Sequence, residues 1–400
     1  MCIRDSSTTT KLKGEAIFAI ADVFGDEVEG LDGEVGDAET TFSSRVRLNF
    51  DTSFFGKDRL RTRLQGGNFV NIDDDITGTD STRLGFDSGG DFDINVTDLH
   101  YRFPFGERFT GYVGAFGLDL NDIFAESNPT LASSGSGALS RFSRRNPLVL
   151  RGTEGAGAGV NFDIIPDKVG INFGYLADDA GADVEDDGSI TPGGAPDPNG
   201  SGLFGGSFSA GAQVEFSPIE AFAINATYVR SFDEGGTDFS NGTVSGFADD
   251  PFNGADTTAD RFGLGANFNL GERIVLAGFA GYAEATGIVD GDDNDLEGEI
   301  LTWSANISFL DLVKEGSQLS IAGGLLPKFT SDDAVAEGAI VGPGEIDEDR
   351  DNSYLIEALY RFPLNDNIDI TPGAYVVFNA NHIEDNDEVY VGVIRTTFKF

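Results

Sequence analysis

Residues 388–400, EVYVGVIRTTFKF, decide the fold class of this chain. In an extended strand, alternate side chains point to opposite faces. One face then carries an apolar set that ends in two aromatic rings: Tyr390, Gly392, Ile394, Thr396, Phe398 and Phe400. The other face becomes charged toward its end: Val389, Val391, Val393, Arg395, Thr397 and Lys399. This pattern predicts the closing strand of a transmembrane β-barrel, with the terminal rings at the membrane interface and Arg395 and Lys399 facing water. A strand of a soluble β-sandwich shows the same alternation and stays as the alternative.

Composition narrows the class of protein further. The 400 residues carry a formal net charge of −42, which argues against nucleic acid as a partner because phosphate contacts need lysine and arginine. No apolar run approaches the roughly 18 residues of a membrane-spanning helix, whereas the hydrophobicity of a barrel is spread over alternate residues. The single cysteine, Cys2, argues against metal sites built from thiols.

The start of the chain differs from the rest. Residues 1–10 begin MCIRDS, which has neither the apolar core nor the cleavage site of a signal peptide, and we expect a non-native or disordered start. We expect residues 11–400 to form one barrel domain.

One unit recurs along residues 11–400: an alternating strand of about 9 to 13 residues, a short turn, a second strand and a long polar loop. About sixteen strands result, an even number, as a closed antiparallel barrel requires. A change of phase between Val96 and Leu99 predicts a β-bulge near Thr97 or Asp98. Short turns such as YRFPF at 101–105 place aromatic residues beside proline, and long acidic loops fall at the opposite strand ends. The fold class predicted is therefore all-β: an antiparallel transmembrane barrel with short periplasmic turns and long extracellular loops.

Five arginines share the inward phase of the second and third strands: Arg45, Arg47, Arg59, Arg61 and Arg63. An arginine that faces lipid costs about 2–4 kcal/mol at the bilayer midplane, so this face must be the lumen. The arginines then form a positive ladder on one wall. Two interpretations stay open: a selectivity element for anions and polar solutes, or ion pairing with the acids of an inserted loop.

The loop of residues 119–149 is the candidate constriction, because loops of this length are usually functional or disordered. It begins with Asp119, Asp122 and Glu126 and ends with Arg141, Arg144 and Arg145. The next strand places three glycines on its inward face: Gly155, Gly157 and Gly159. Such a bare wall, meaning an inward strand face without side chains, leaves space for a loop folded into the pore. Glycine also marks bends and close strand approach.

Other motifs carry little chemistry. The glycine run at 152–159 lacks the spacing and the lysine of a phosphate-binding loop. The acidic stretch at 290–299 lacks the glycine and the bidentate glutamate of a calcium loop, so it predicts only loose binding of divalent ions. With two histidines, His100 and His382, and no nucleophile paired with a base, we expect no enzyme, cofactor or dedicated metal site.

Three short motifs carry a family likeness: RFSRRNPL at 141–148, the Tyr-Arg-Phe-Pro turns at 101–104 and 360–363, and the terminal Thr-Phe-Lys-Phe. With them, residues 11–400 resemble the cyanobacterial iron-uptake porins, which are relatives of the carbohydrate-selective OprB porins. The resemblance implies an outer-membrane channel that passes inorganic ions, iron among them, with sugar transport as the older family label.

The function expected is a porin for passive diffusion of inorganic ions and small polar solutes in the outer membrane of a Gram-negative-type, cyanobacterial cell. The expected partners are outer-membrane lipid, these solutes, the barrel-assembly machinery through the C-terminal strand and other copies of the chain in a homo-oligomer. The alternatives are a carbohydrate-selective porin, a structural protein that joins outer membrane to cell wall without an open channel, and a soluble acidic β-protein.

Overall fold

A computed structural model describes residues 9–24, 40–178, 202–234, 236, 243, 245–288, 296–332, 334 and 347–400, apart from the side chains of residues 74 and 75. In it, antiparallel strands close into one barrel in the order of the sequence, which confirms the predicted fold class. The sixteen strands are β1 Thr9–Phe24, β2 Thr41–Ser53, β3 Arg59–Gly67, β4 Asn95–Phe105, β5 Phe109–Leu118, β6 Gly155–Ile165, β7 Val169–Ala177, β8 Phe208–Ile219, β9 Phe222–Asp233, β10 Asp256–Leu270, β11 Ile274–Ile288, β12 Leu296–Leu310, β13 Gln318–Thr330, β14 Tyr354–Asn365, β15 Ile368–Phe378 and β16 Val389–Lys399.

The barrel closes between β1 and β16. Ala16 lies opposite Phe398, and the ladder continues to Phe24 opposite Tyr390. Beyond the strand end, the Gly14 amide donates to the Phe400 carbonyl at 2.6 Å and the Phe400 amide donates back at 3.0 Å. A side chain at position 14 would strike the Phe400 ring, since a Cβ there would lie 2.2 Å from Cε2 of the ring. Closure therefore uses the last residue of the chain.

Side chains alternate between lipid and lumen as predicted. On β16, Tyr390 and Ile394 are about half exposed, at 47% and 50%, whereas Val391 and Arg395 are fully buried inside the barrel. The bulge predicted near Thr97 or Asp98 is also present, because Arg63 pairs with Asp98 and Leu64 pairs with Val96, which leaves Thr97 without an opposite residue.

The connections follow the predicted length pattern. The β2–β3, β4–β5 and β6–β7 turns are all short and lie at the barrel end where Thr9 and Phe400 are found. Asp58 secures the first of them, since its carboxylate accepts from the amides of Phe54 and Phe55 and from the Tyr101 hydroxyl. Most of the acidic stretches at 25–39, 178–187, 290–299 and 332–351, like residues 1–8, lie outside the described residues. No helix in the described part of the chain has the length and apolar character to cross a bilayer.

Two of the long loops fold into the barrel. The β3–β4 loop (residues 68–94) contains a π-helical turn at Ile72–Thr77, and the β5–β6 loop (residues 119–154) contains two short helices, α1 Leu120–Ile123 and α2 Pro147–Leu150. A third helix, α3 Gly246–Asp249, precedes β10 and packs through Ala248 against Ala259 and Phe329 of the barrel wall.

The luminal wall near the barrel closure is apolar because the β3–β4 loop covers it. One buried cluster joins the loop residues Phe69, Ile72, Leu84 and Phe86 to the inward side chains of β1, β15 and β16, which are Ile17, Ala19, Ala21, Tyr375, Val377, Val389, Val391 and Val393. The Tyr375 hydroxyl adds a 2.5 Å hydrogen bond to the Thr82 carbonyl. Insertion of this second loop was not predicted from the sequence.

Candidate functional site

The β5–β6 loop first lies against the bare wall of β6–β8. Ile123 occupies the space beside Gly159, where a Cβ would come within 2.6 Å of its side chain. Gln213 of β8 then fixes the backbone of the loop: its carbonyl accepts from the Ala125 amide at 2.6 Å, and its amide donates to the Ala125 carbonyl at 3.1 Å. The inward glycine of β6 thus makes room for the loop.

The middle of the loop is anchored on the opposite wall. Arg395 of β16 donates to the carbonyls of Ser134, Gly137 and Ala138 at 2.7–3.1 Å. Glu357 of β14 accepts from the Leu139 amide and the Ser140 hydroxyl, each at 2.5 Å. These contacts hold the loop across the lumen instead of along one side.

The two inserted loops are joined to each other. The Gly85 amide donates to the Leu139 carbonyl at 2.7 Å, and the Arg141 amide donates to the Arg83 carbonyl at 2.9 Å. Arg395 lies over the Phe86 ring at 4.9 Å as well as bonding to the β5–β6 loop. The loops therefore form one inner layer that leaves the wall of β2–β5 facing open space.

A cavity of about 530 Å³ lies between this inner layer and the β2–β5 wall. We call it the arginine cavity. Seven arginines and four carboxylates line it: Arg47, Arg63, Arg83, Arg141, Arg144, Arg145, Arg151, Asp87, Asp119, Asp122 and Glu154. Gln65, Asn71, Ser88, Asn121, Ser133 and Ser134 add neutral polar groups. No aromatic ring belongs to this lining in the described part of the chain.

The predicted arginine ladder divides into two environments. Arg47 and Arg63 line the arginine cavity, whereas Arg45, Arg59 and Arg61 are not part of its lining. Arg45 is buried and pairs with Glu15 at 2.9 Å, while its second amino group donates to the Phe86 carbonyl. The expectation that Arg45 faces the open pore is therefore wrong: its guanidinium ties β1 and β2 to the β3–β4 loop.

Arg59, Arg61 and Arg63 contact acids or histidine of neighbouring strands and not an acid of an inserted loop. Arg61 binds Asp51 at 2.9 Å, and Arg63 lies 3.3 Å from Asp98. His100 Nδ1 lies 2.7 Å from the same Asp98 carboxylate, and its Nε2 lies 3.2 Å from Arg59. Arginine can only donate, so Nε2 is the acceptor in this contact.

Of the loop residues predicted as site residues, five line the arginine cavity and one does not. Asp119, Asp122, Arg141, Arg144 and Arg145 line the arginine cavity. Glu126 lies behind it, where burial raises the pKa of its carboxyl group and Arg145 is 3.4 Å away.

Arg83, Asp87, Arg151 and Glu154 of the lining were missed by the sequence prediction. Arg83 and Asp87 belong to a loop whose insertion was not foreseen, and residues 151–154 were left outside the predicted loop. The sequence did offer one signal, because apolar residues such as Phe69, Leu84 and Phe86 are unusual in an otherwise acidic loop.

The loop arginines repel one another. Burial, followed by repulsion from Arg145 and Arg141, lowers the pKa of Arg144 well below its usual value. Burial and the same two neighbours lower the pKa of Arg151 in the same direction. Arginine nonetheless stays protonated in proteins, so these shifts indicate positive charges held together at a cost in free energy.

Comparison with known proteins agrees with this architecture. A family model described as "Carbohydrate-selective porin, OprB family" matches residues 3–400. The chain belongs to the OprB family of porins.

Two cyanobacterial relatives of this OprB-family chain are uncharacterized proteins. One from Synechocystis sp. is 36% identical over 98% of this chain and 69% of its own length. One from Nostoc sp. is 32% identical over 98% of this chain and 66% of its own length. The chain thus spans about two thirds of each relative.

Solved barrels share the fold. OprB of Pseudomonas putida, in a high-pH structure, superposes with a TM-score of 0.63 at 10% identity and covers 98% of this chain and 94% of its own. An anion-selective porin from Comamonas acidovorans gives a TM-score of 0.58 at 13% identity, over 98% of this chain and all of its own. This OprB-family porin is an outer-membrane protein surrounded by lipid, and neither its family nor its fold is that of an enzyme.

Proposed function

We propose that this OprB-family porin is a passive diffusion channel whose inserted loops restrict passage to the arginine cavity and make it favour anions over cations. The observation that carries the proposal is the excess of arginines over carboxylates in the lining. A positive constriction with low-dielectric walls raises the local concentration of anions and opposes cations. Chloride, phosphate and small organic acids are the solutes that fit this charge.

The same charge constrains how iron would pass. Free ferrous and ferric ions are cations and meet repulsion at seven guanidinium groups. We therefore propose that iron enters through this porin as a complex with anionic ligands, in which the net charge is negative. A larger permeability for ferric citrate than for ferrous sulfate in loaded liposomes would support this route, and the reverse order would contradict it.

Carbohydrate passage is the second candidate, favoured by the family description and by one feature of the cavity. Gln65, Asn71, Ser88 and Asn121 line it and can hydrogen-bond to sugar hydroxyls. Aromatic rings, which would pack against the apolar face of a sugar ring, are absent from the described lining. We accordingly propose that neutral sugars diffuse more slowly than small anions of the same size.

The deciding experiment is conductance of the purified chain in a planar bilayer under a potassium chloride gradient. We expect stepwise currents and a reversal potential of the sign set by chloride. Arg144→Gln should shift this potential toward the value of an unselective pore, while Arg273→Gln, an exposed residue in the distant β10–β11 turn, should not. A barrel that inserts without conducting would instead favour the structural role in joining outer membrane to cell wall.

Two partners belong to the same proposal. The aromatic C-terminal strand fits recognition by the barrel-assembly machinery, and deletion of Phe400 should slow insertion in cells. A second copy of the chain would fit the apolar groove of about 590 Å³ on the outer wall near Trp303, Ile321 and Ile356. Cross-linking of Ile321→Cys between protomers in native membranes would test the homo-oligomer.

A further inference from the structure

Three guanidinium groups of the arginine cavity have no carboxylate partner among the described residues. Arg47 donates to Gln65 and, at 3.0 Å, to the Ser134 hydroxyl. Arg144 donates to the carbonyls of Ala132 and Gly85 at 3.0 and 2.7 Å. Arg151 donates to the Arg141 carbonyl at 2.7 Å. All of these acceptors are uncharged, so the three positive charges are oriented but not neutralised.

The orienting bonds leave donors free toward the cavity. A guanidinium group carries five N–H donors in a fixed planar fork. Arg47 and Arg144 each use Nε and one terminal nitrogen, which leaves the other terminal nitrogen without a protein acceptor in the described residues. Only 7% of Arg151 is exposed, and its Nε has no hydrogen-bond partner among the described residues.

Like charges held together, half-buried at Arg47 and Arg144 and buried at Arg151, require compensation. Removing an arginine from water is unfavourable unless a counter-charge is close, and neutral carbonyl groups compensate only in part. Two of the nearby carboxylates pair with other arginines: Glu126 lies 3.4 Å from Arg145, and Asp87 accepts from Arg83 at 2.8 Å. Asp119, Asp122 and Glu154 also line the cavity but form no described ion pair with Arg47, Arg144 or Arg151. In the part of the chain that the structure describes, Arg47, Arg144 and Arg151 therefore have positive charges that no ion pair neutralises.

We propose that Arg47, Arg144 and Arg151 form a saturable binding site for a small oxyanion with at least two negative charges, of which inorganic phosphate and simple phosphate esters are the class. The inference rests on the proposed function and deepens it, because the cavity would then bind its solute during passage and not only select it by charge. A guanidinium group can donate two parallel hydrogen bonds to two phosphate oxygens, and three guanidinium groups from a strand and a loop can surround a tetrahedral anion.

The chemistry separates this class from the other solutes. Chloride has one negative charge and lacks the two oxygen atoms that a guanidinium group binds in parallel, and a neutral sugar has no charge. A divalent oxyanion can accept from the free terminal nitrogens of two arginines at once. Phosphate should therefore dwell in the cavity and obstruct chloride, whereas glucose should not.

The test is a titration of the chloride current through single channels with phosphate at pH 7.5 and constant ionic strength. We expect saturable block by phosphate and by sulfate, which is also a divalent tetrahedral oxyanion, and none by glucose. Arg144→Gln and Arg151→Gln should each raise the half-blocking phosphate concentration about tenfold, the loss expected for a hydrogen-bonded charge contact. Arg273→Gln is the matched control and should leave it unchanged.

A direct measurement guards against variants that fail to fold. Calorimetry of wild-type chain in detergent should show one phosphate bound per chain and no heat with glucose. An anion-selective pore that phosphate neither blocks nor binds would overturn the site but leave the proposed function standing. Block that persists unchanged in both variants would also overturn it, by placing the phosphate elsewhere. A cation-selective or silent wild type would remove the proposed function and the site together.

Discussion

Arginine has two structural roles in this lumen: some arginines anchor the inserted loops, and others line the arginine cavity. The local hydrogen-bond acceptors determine the role of each one. Arg395 is fully buried and gives its donors to three loop carbonyls and its face to the Phe86 ring. Arg144 also binds carbonyls but keeps donors toward the arginine cavity. The sequence places Arg45 and Arg47 on one face of one strand and cannot separate them, because the difference comes from Glu15 and from loops distant in the chain.

Glu357 is the residue whose loss should loosen the β5–β6 loop. Its carboxylate accepts from the Leu139 and Ser140 amides and from the Ser140 hydroxyl. Glu357→Gln keeps the shape but turns one acceptor oxygen into a donor that faces other donors. We expect a cost of about 1–3 kcal/mol at the anchor, because buried donors lose their partner. Single-channel recording should show larger and noisier conductance as the loop leaves its position.

Glu284→Gln is the matched control for this substitution, because Glu284 is an exposed residue of β11 bonded to the Tyr282 hydroxyl. Its conductance should equal that of the wild type. A quiet, unchanged conductance in Glu357→Gln would show that the other anchors hold the loop without this carboxylate.

At the scale of elements, periodicity predicted the strands and failed at the loops. Alternation fixes the two faces of a strand, so β16, the bulge at Thr97 and the even strand count followed from the sequence. The inward glycines of β6 also indicated an inserted loop beside them. Entry of the β3–β4 loop depends on packing of Phe69 and Phe86 against β1 and β16, segments that lie tens and about 300 residues away in the chain, and local patterns do not encode such contacts.

The loops at the long-connection end contain two buried titratable groups with opposite pH dependence. Burial raises the pKa of Asp349 to about 7, although it accepts from the Ser245 hydroxyl and the Phe329 amide. Burial lowers the pKa of His382 to about 4. Its Nδ1 accepts from the Ser353 amide at 3.1 Å, an acceptor that protonation would remove. Lys328, Asp347 and Asp351 are the charges that act on the pair.

The stability of these loops should therefore change little with pH in the wild type. His382 makes the closed loops more stable as pH rises from about 4 to its ordinary 6.5. Asp349 makes them less stable as pH rises from its ordinary 3.8 to about 7. The two slopes, each about 1.4 kcal/mol per pH unit, oppose one another over most of that range.

Single variants should reveal each slope. In Asp349→Asn, opening measured by hydrogen exchange of the Ser353 amide should become harder as pH rises from about 4 to 6.5. In His382→Gln it should become easier as pH rises from about 4 to 7. Two variants with the same flat profile as the wild type would contradict the assigned pKa directions.

At the scale of the whole molecule, the arginine cavity, which we propose as the passage, lies on one side of the lumen. The β5–β6 loop bonds to wall residues all the way from Asn161 of β6 to Arg395 of β16, with Ser308 of β12 bonded to Thr130 in between. Among the described residues, the wall residues that line the arginine cavity belong to β2–β5, with Gln65 and Thr97 among them. A barrel of sixteen strands has a lumen wide enough for water. The two inserted loops occupy part of this lumen and leave the arginine cavity beside the β2–β5 wall.

Cysteine accessibility should map this asymmetry in a Cys2→Ser background. Gln65→Cys, on the open wall, should react rapidly with a charged, water-soluble thiol reagent and lose most of its current, because the adduct occupies the arginine cavity. Ser308→Cys is also inward but fully buried beneath the loop, and should react slowly without loss of current. Leu264→Cys, 57% exposed on the outer wall, should react only with a membrane-soluble reagent. Equal rates and equal block at Gln65→Cys and Ser308→Cys would place the passage on the barrel axis and refute restriction by the loops.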